Sequence, residues 1–463
     1  MKRSIIISLT VIITSLQVSA QDSTATVMSY EQYIALVLDH HPLMQQAELL
    51  SRQAEAYVMK GKGEYDPKIS ANWNKKDYKD TDYYNLLSSS LSIPTWIGAD
   101  VKLGYERSSG TFLDPSDNLP LDGLWSIGVD IPIGEGLFYD ERRQARQQAD
   151  LYAQSTEIER DLLLNDLLYN ASLSYLEWAR AMMAREIALT GIQLAEQRLT
   201  GLRASFLTGD GPAVDTLEAD VNLLARQLSL QQAEQEIVKA RAQLSMYLWL
   251  EGVVPLELEP DVQAETTVLL DLVMVQPSAV HPYLRAYDNK IALVELDERM
   301  AKERLKPDLT VSYHPLADIS NRPSSRDFTL SDYKLGVQFA TPIFIRKERA
   351  ELRLVRLEMA GLEIDRSLEA QNLRAQQSAA IANSLIMQQQ LVTLERTISQ
   401  YDALLQAEYK KLAIGESSIF VVNSREVKYL DLLSKSQETR IKLNQTVLSR
   451  AYYDATLYEL LSQ

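Results

Sequence analysis

From Ile343 to the last residue, Gln463, the sequence contains no proline and only two glycines, Gly361 and Gly415. Proline is the residue that most firmly stops a helix, so little prevents this stretch from running helical with a single break. Leu391, Leu394, Ile398, Tyr401 and Leu405 recur at three-and-four spacing, the seam of a helix that packs lengthwise against others. Gly415 suits the left-handed residue past a helix end, and Ser417 or Ser418 can cap the next helix, which runs on through Val427 and Leu430. The stretch therefore predicts a helical hairpin. Its first arm, Ile343 to Ile414, would be about 108 Å long at about 1.5 Å per residue, a length no ordinary globular domain encloses.

A second hairpin of the same kind lies upstream. A proline-free arm from Phe138 to Thr208 meets the break Thr208-Gly209-Asp210-Gly211-Pro212, and a return helix with its seam at Leu217, Val221, Leu224 and Leu228 ends near Trp249. What precedes each hairpin also matches. Ser29 and Gln32 form a capping-box pattern that opens a helix running to about Gly61 with Pro42 inside it. His41-Pro42 corresponds to His281-Pro282 and Pro67 to Pro307, 25 residues apart in both copies. Alternating runs follow: Ile69, Ala71 and Trp73, then Trp125, Ile127, Val129 and Ile131 in the first copy; Leu309, Val311 and Tyr313, then Tyr333, Leu335, Val337 and Phe339 in the second. Pro132 and Pro342 close them. The ordered set predicts an internal duplication, residues 21–250 and 278–463, joined by a proline-containing connecting segment at 251–277.

The first copy carries about thirty extra residues between its two strands, and part of them alternate as well: Val101, Leu103 and Tyr105 against Asp100, Lys102 and Glu106. With Leu86 to Ile93 they make a candidate added hairpin around the turn Ile93-Pro94-Thr95-Trp96-Ile97-Gly98. Pro115 to Asp122 and Asn321 to Ser325 read as loops at the far ends of the strands.

The N-terminus has Lys2 and Arg3, an apolar run from Ile5 to Leu16, and Val18-Ser19-Ala20, the three parts of a secretory signal, with cleavage expected after Ala20. The chain has no cysteine, hence no disulfide and no thiolate chemistry. A formal net charge of −16 argues against nucleic acid as a partner. No later segment has 18 consecutive apolar residues, so an exported chain of this kind would cross a membrane only by strands.

Signal peptide, His-Pro helix, two strands and a long hairpin with a glycine tip, all duplicated, resemble the TolC-like outer-membrane efflux proteins over essentially the whole mature chain. That family usually has asparagine where this chain has His41 and His281. The resemblance implies a mainly α protein with a β-barrel: a homotrimer whose twelve-stranded barrel sits in outer-membrane lipid and continues as an α-helical tunnel in the periplasm. It favours four strands per chain over six. Trp73, Tyr105, Trp125 and Tyr333 would suit the barrel's interfacial girdles, and Arg142, Arg143, Arg146, Arg346, Lys347 and Arg349 would lie where barrel meets tunnel.

The implied function is passive: an exit duct that takes substrate from a periplasmic adaptor and an inner-membrane transporter, in a tripartite efflux or type I secretion system. On the family pattern the adaptor contact and gate fall at the two tips, at Phe206, Leu207, Gly209, Asp215 and Glu218 in the first and Gly415, Ser417 and Ser418 in the second. The family's best-known members have aspartates at the positions of Val421 and Ser424, so an acidic ring there is not expected; Asp215 and Glu218 hold the corresponding offsets from Gly209. His40, His41, His281 and His314 lack ligand spacing, there is no phosphate loop, and no acid/base pair stands out, so no metal, cofactor or catalytic residue is expected. The competing reading is a periplasmic coiled-coil scaffold without a pore, which has no use for duplicated alternating strands. Small-molecule and protein cargo are not separable at this level.

Overall fold

A computed structural model describes residues 27–117, 119–209, 211–265, 280–318 and 328–462; the expected signal, part of the connecting segment and the loop at 321–325 lie outside them. After β1 (Val27–Met28), α1 (Tyr30–His40) opens with the expected box, Gln32 N–H donating to Ser29 Oγ at 3.2 Å and Ser29 N–H to Gln32 Oε1 at 3.1 Å. Pro42 does not sit inside this helix, as the sequence reading had it. His41 is extended, with φ −73° and ψ 135°, because the ring of a following proline excludes the helical conformation, and a new helix, α2 (Pro42–Gly63), starts there.

Four strands come next, β2 (Lys68–Tyr78), β3 (Thr81–Pro94), β4 (Asp100–Ser109) and β5 (Leu124–Pro132), then α3 (Glu141–Thr208) and α4 (Ala213–Ser245). α3 starts three residues later than Phe138 because Asp140 caps it, accepting from Arg143 N–H at 2.9 Å. Short strands β6 (Trp249–Leu250), β7 (Val254–Pro255) and β8 (Gln263–Ala264) precede α5 (Pro282–Glu303). Then come β9 (Asp308–Ala317), β10 (Tyr333–Ala340), α6 (Arg346–Ala413), α7 (Ile419–Tyr453) and α8 (Leu457–Leu461). The element lengths repeat: α2 and α5 have 22 residues each, and α3 and α6 have 68 each, about 102 Å at about 1.5 Å per residue.

The long strands form one antiparallel sheet in the order β10-β9-β5-β4-β3-β2. This corrects the expectation of four strands and, for three copies, of a twelve-stranded barrel: β3 and β4 are full members of the wall. Their own residues dictate it. Register pairs Leu91 with both Ile69 and Leu103, and Leu103 with Ile127, so the alternation of the added hairpin is in phase with its neighbours on both sides.

The helices form a layer continuing from one end of the sheet. Near the sheet α2 packs on α3, α3 on α5 and α5 on α6; farther away α4 packs on α3, α3 on α7 and α7 on α6. Midway, α1, α3, α4, α7 and α8 bury a core of Tyr33, Val37, Leu168, Tyr175, Trp178, Leu244, Ile441, Leu448 and Leu457. Tyr175 stacks edge-on with Trp178 at 5.7 Å and donates its hydroxyl to Met28 O at 2.7 Å, beside the parallel pairing of β1 with β8. The connecting segment thus ties the N-terminus to the waist of the long helices.

Candidate functional site

Side chains alternate across a strand, so the register sorts the sheet into two faces. On one lie Ile69, Trp73, Leu87, Leu91, Val101, Leu103, Tyr105, Trp125, Ile127, Val129, Ile131, Leu309, Val311, Tyr313, Tyr333, Leu335, Val337 and Phe339. The aromatic residues singled out from the sequence are all there: Tyr105 pairs with Trp125 at 4.9 Å and Tyr333 with Tyr313 at 5.4 Å between ring centres, while Trp73 donates its indole N–H to Asn85 Oδ1 at 2.7 Å. Large apolar residues stay in the open on this face, Ile69 at 82% exposure and Trp73 at 67%. A water-facing sheet with its apolar side uncovered is unstable; a lipid-facing one is not.

The opposite face carries Ser70, Asn72, Asn74, Ser88, Ser90, Lys102, Gly104, Glu106, Ser126, Gly128, Asp130, Thr310, Ser312, His314, Lys334, Gly336 and Gln338. Its charges are paired across strands, Lys102 with Asp130 at 2.5 Å and Lys334 with Glu106 at 2.7 Å, and His314 Nε2 hydrogen-bonds Asp130 at 2.9 Å. Gly128 is required where β5 meets β9, since a Cβ there would overlap the His314 ring and the Tyr313 carbonyl. The sheet ends in two open edges: every residue of β2 and every residue of β10 is exposed.

At the junction of sheet and helices, Arg142 pairs with Asp100 at 2.5 Å, while Arg143 donates to Trp96 O and Leu137 O, each at 3.0 Å. These two arginines do lie where the sequence reading placed them, yet they are spent on anchoring the β3–β4 turn to the start of α3. Arg346 lies over the Phe344 ring at 4.9 Å and Lys306 over Phe138 at 4.9 Å. Trp96, Ile97, Phe138, Ile343 and Phe344 are exposed around this rim.

The two hairpin tips lie together at the opposite end. Gly209 (φ 82°) and Gly415 (φ 76°) take the left-handed conformation that lets each helix end. Ser418 is the N-cap of α7, accepting from Val421 N–H at 3.4 Å, and Ser417 donates to Glu408 at 2.5 Å. Asp215, Glu218, Gly415, Ser417 and Ser418 line one cleft between the tips, with Arg198, Tyr409 and Phe420. Phe206 and Leu207 are exposed beside it.

One group at this end was missed by sequence reasoning. Arg198 on α3 pairs with Glu426 on α7 at 2.5 Å, with side chains only 2% and 3% exposed. Arg198 also donates to Asn423 Oδ1 at 3.2 Å, and Tyr409 on α6 donates its hydroxyl to Glu426 at 2.6 Å. Burial, and then the Glu426 carboxylate, push the Tyr409 phenol well above its ordinary range; burial pulls the nearby Arg226 guanidinium down, against the attraction of Glu426. The network joins the first hairpin to the second. A signal was present: Glu426 interrupts the stripe Val422, Glu426, Leu430, and Arg198 the stripe Gly191, Ala195, Arg198, Leu199, all buried.

The histidines are scattered, and their roles are local. His41 Nδ1 accepts from Leu43 N–H at 3.2 Å and His281 Nδ1 from Tyr283 N–H at 3.1 Å, so each imidazole caps a helix that begins with proline. An asparagine would offer its side-chain oxygen for the same bond.

The sequence matches no family model and no curated protein. Solved structures do match. The outer-membrane channel OprN is 16% identical with a TM-score of 0.63, covering 92% of this chain and 89% of that one. The outer membrane protein VceC of Vibrio cholerae is 12% identical with a TM-score of 0.64, covering 91% and 95%. The MtrE outer membrane channel of Neisseria gonorrhoeae, solved in an open state, is 12% identical with a TM-score of 0.64, covering 92% and 88%. With a lipid-type face, a polar face and paired helical tips, this chain has the fold of the outer-membrane channel proteins.

Proposed function

We propose that three copies of this chain close into a passive duct through the outer membrane, extending into the periplasm, that receives substrate from a periplasmic adaptor and an inner-membrane transporter. The observation that carries the reading is a match of open edges. β2 follows α2, and β10 precedes α6, so the uncovered sheet edges lie on the same flanks as the outer helices. Those flanks bear exposed apolar residues at matching heights as well: Leu49 and Met59 on α2 and Leu354 and Leu357 on α6 near the sheet, and Leu217, Val221 and Leu224 on α4 and Val392 and Leu404 on α6 toward the tips. One neighbouring copy satisfies both flanks at once, β10 pairing antiparallel with β2 and one seam packing on the other. A soluble scaffold accounts for the seams but leaves the apolar face of the sheet in water.

On this reading the apolar face meets lipid and the polar face lines the water-filled lumen. Among the described residues no helix is long and apolar enough to cross a membrane, so the strands carry the span. The chain catalyses nothing, and transport is driven by the transporter. The repetition of elements of equal length is the mark of an internal duplication. The tips are the adaptor contact and gate, through Phe206, Leu207, Gly209, Asp215, Glu218, Gly415, Ser417 and Ser418, and opening spreads α6–α7 from α3–α4 as rigid bodies. The test is fractionation and native mass. The protein should pellet with outer membranes as a trimer, with cysteines placed on β2 and β10 forming disulfides between copies; a monomer in the soluble periplasm refutes the reading.

A further inference from the structure

We infer that the closed barrel has eighteen strands and a bore as wide as the tunnel above it, so that bulky water-soluble cargo passes the barrel freely and selection is left to the tips. The inference rests on the duct reading and adds the geometry of its exit. Six strands about 4.8 Å apart and tilted by about 40° occupy about 38 Å of circumference per copy, whereas four would occupy about 25 Å. The four helices in cross-section, about 9 Å apart, occupy about 36 Å. Six strands therefore meet the helical layer arc for arc.

Three copies give a barrel of about 36 Å between backbones and, less about 5 Å of side chain at each wall, a lumen of about 26 Å. A twelve-stranded barrel of the same tilt leaves about 14 Å. The added hairpin is built into the wall rather than laid upon it. On the lumen side Ser90 Oγ bonds Ser70 Oγ at 2.8 Å and Lys102 pairs with Asp130 at 2.5 Å, joining β3–β4 to both neighbours. A Cβ on Gly104 would stand 2.5 Å from Ser126 Oγ, so the Ser126 hydroxyl of β5 lies over the glycine of β4. At its inner turn the hairpin is held by Arg142 and Arg143 on α3. Its lumen-facing Ser88, Ser90, Ser92 and Gly104 are small, which keeps the added width open. The lumen face holds mainly serine, asparagine, glycine and paired charges, a surface for hydrated solutes, with Leu86, Leu124 and Leu316 as its apolar residues toward the outer loops.

Polymer exclusion in planar bilayers, read on full openings so that the tip gate does not limit conductance, tests the bore. Polyethylene glycols of graded size are added on the outer side of the full-length channel. Those of hydrodynamic radius up to about 12 Å should enter and lower its conductance, and a chain lacking residues 80–109 should have its cut-off moved to about 7 Å. A parent cut-off already near about 7 Å overturns the inference. Should the deleted chain fail to assemble, labelling decides. Ser90→Cys should react with a membrane-impermeant maleimide and Leu91→Cys should be protected until detergent is added. If both react while the trimer persists, β3–β4 lies outside the wall and the inference falls with the duct reading intact. A monomer sinks both.

Discussion

The buried pair between the hairpins makes Glu426→Gln the most telling substitution. At 2% and 3% side-chain exposure, Arg198 and Glu426 are beyond solvent screening, so the cost of orphaning the arginine is that of a buried charge, about 3–5 kcal/mol. Glutamine can turn its carbonyl to Arg198 and donate its amide to the Tyr409 hydroxyl, so what is lost is the charge that compensates the buried guanidinium. The pair spans α3 and α7, so the penalty falls on the state in which the two hairpins touch. At about 1.4 kcal/mol per factor of ten, the open-to-closed ratio should rise by roughly 100- to 4,000-fold. Single-channel recording reads this directly: the parent should be mostly closed and Glu426→Gln mostly open. Replacing both partners, Arg198→Met with Glu426→Leu, leaves no orphaned charge and should recover most of the closed population. If Glu426→Gln stays as closed as the parent, the pair does not hold the gate. If the double variant is as open as the single one, uncompensated charge is not the reason.

Three more expectations follow from the geometry. Burial depresses the pKa of His41 and His281 below the ordinary 6.5, so the unfolded chain binds protons first; their contribution is complete above about pH 6.5 and is lost as pH falls through it toward the depressed values. Replacing both by asparagine, which keeps the cap worth about 1 kcal/mol without titrating, should shrink the fall in Tm between pH 7.5 and 5.5; an unchanged fall means that these imidazoles do not set the pH dependence. Gly128→Val forces a side chain into the Tyr313 carbonyl and should abolish assembled trimer in the outer membrane, and normal trimer yield would contradict the β5–β9 register. Ser418→Arg should block efflux at normal trimer yield, and Asp215→Ala should raise ionic leak in bilayers; parental behaviour of both would make the tips plain turns.

The long helices were legible because three-and-four spacing and absent proline are local signals, and both glycine turns followed from the same reading. The strand count was not. In β3 the run Ser88-Ser89-Ser90 places a serine on the lipid-type face, opposite Ala71, and blurs the period of two that Leu87 and Leu91 would otherwise announce. The cap at His41 was visible only as a histidine before a proline, since the role depends on Nδ1 reaching an amide two residues on. Arg198 and Glu426 are 228 residues apart, so their stripes marked them as odd without naming them as partners.

The uncovered edges of β2 and β10 also set the genetics of the protein. Each copy must both offer one edge and receive another, so a ring tolerates no defective member. A chain carrying Val337→Pro would still receive a neighbour at β2 but offer a damaged β10. Made in equal amount with the parent, it should leave only about one ring in eight intact, the cube of the parental fraction for closed threefold symmetry. Alleles that spoil a buried core would disappear with their own misfolded product, whereas alleles that spoil an edge would be dominant.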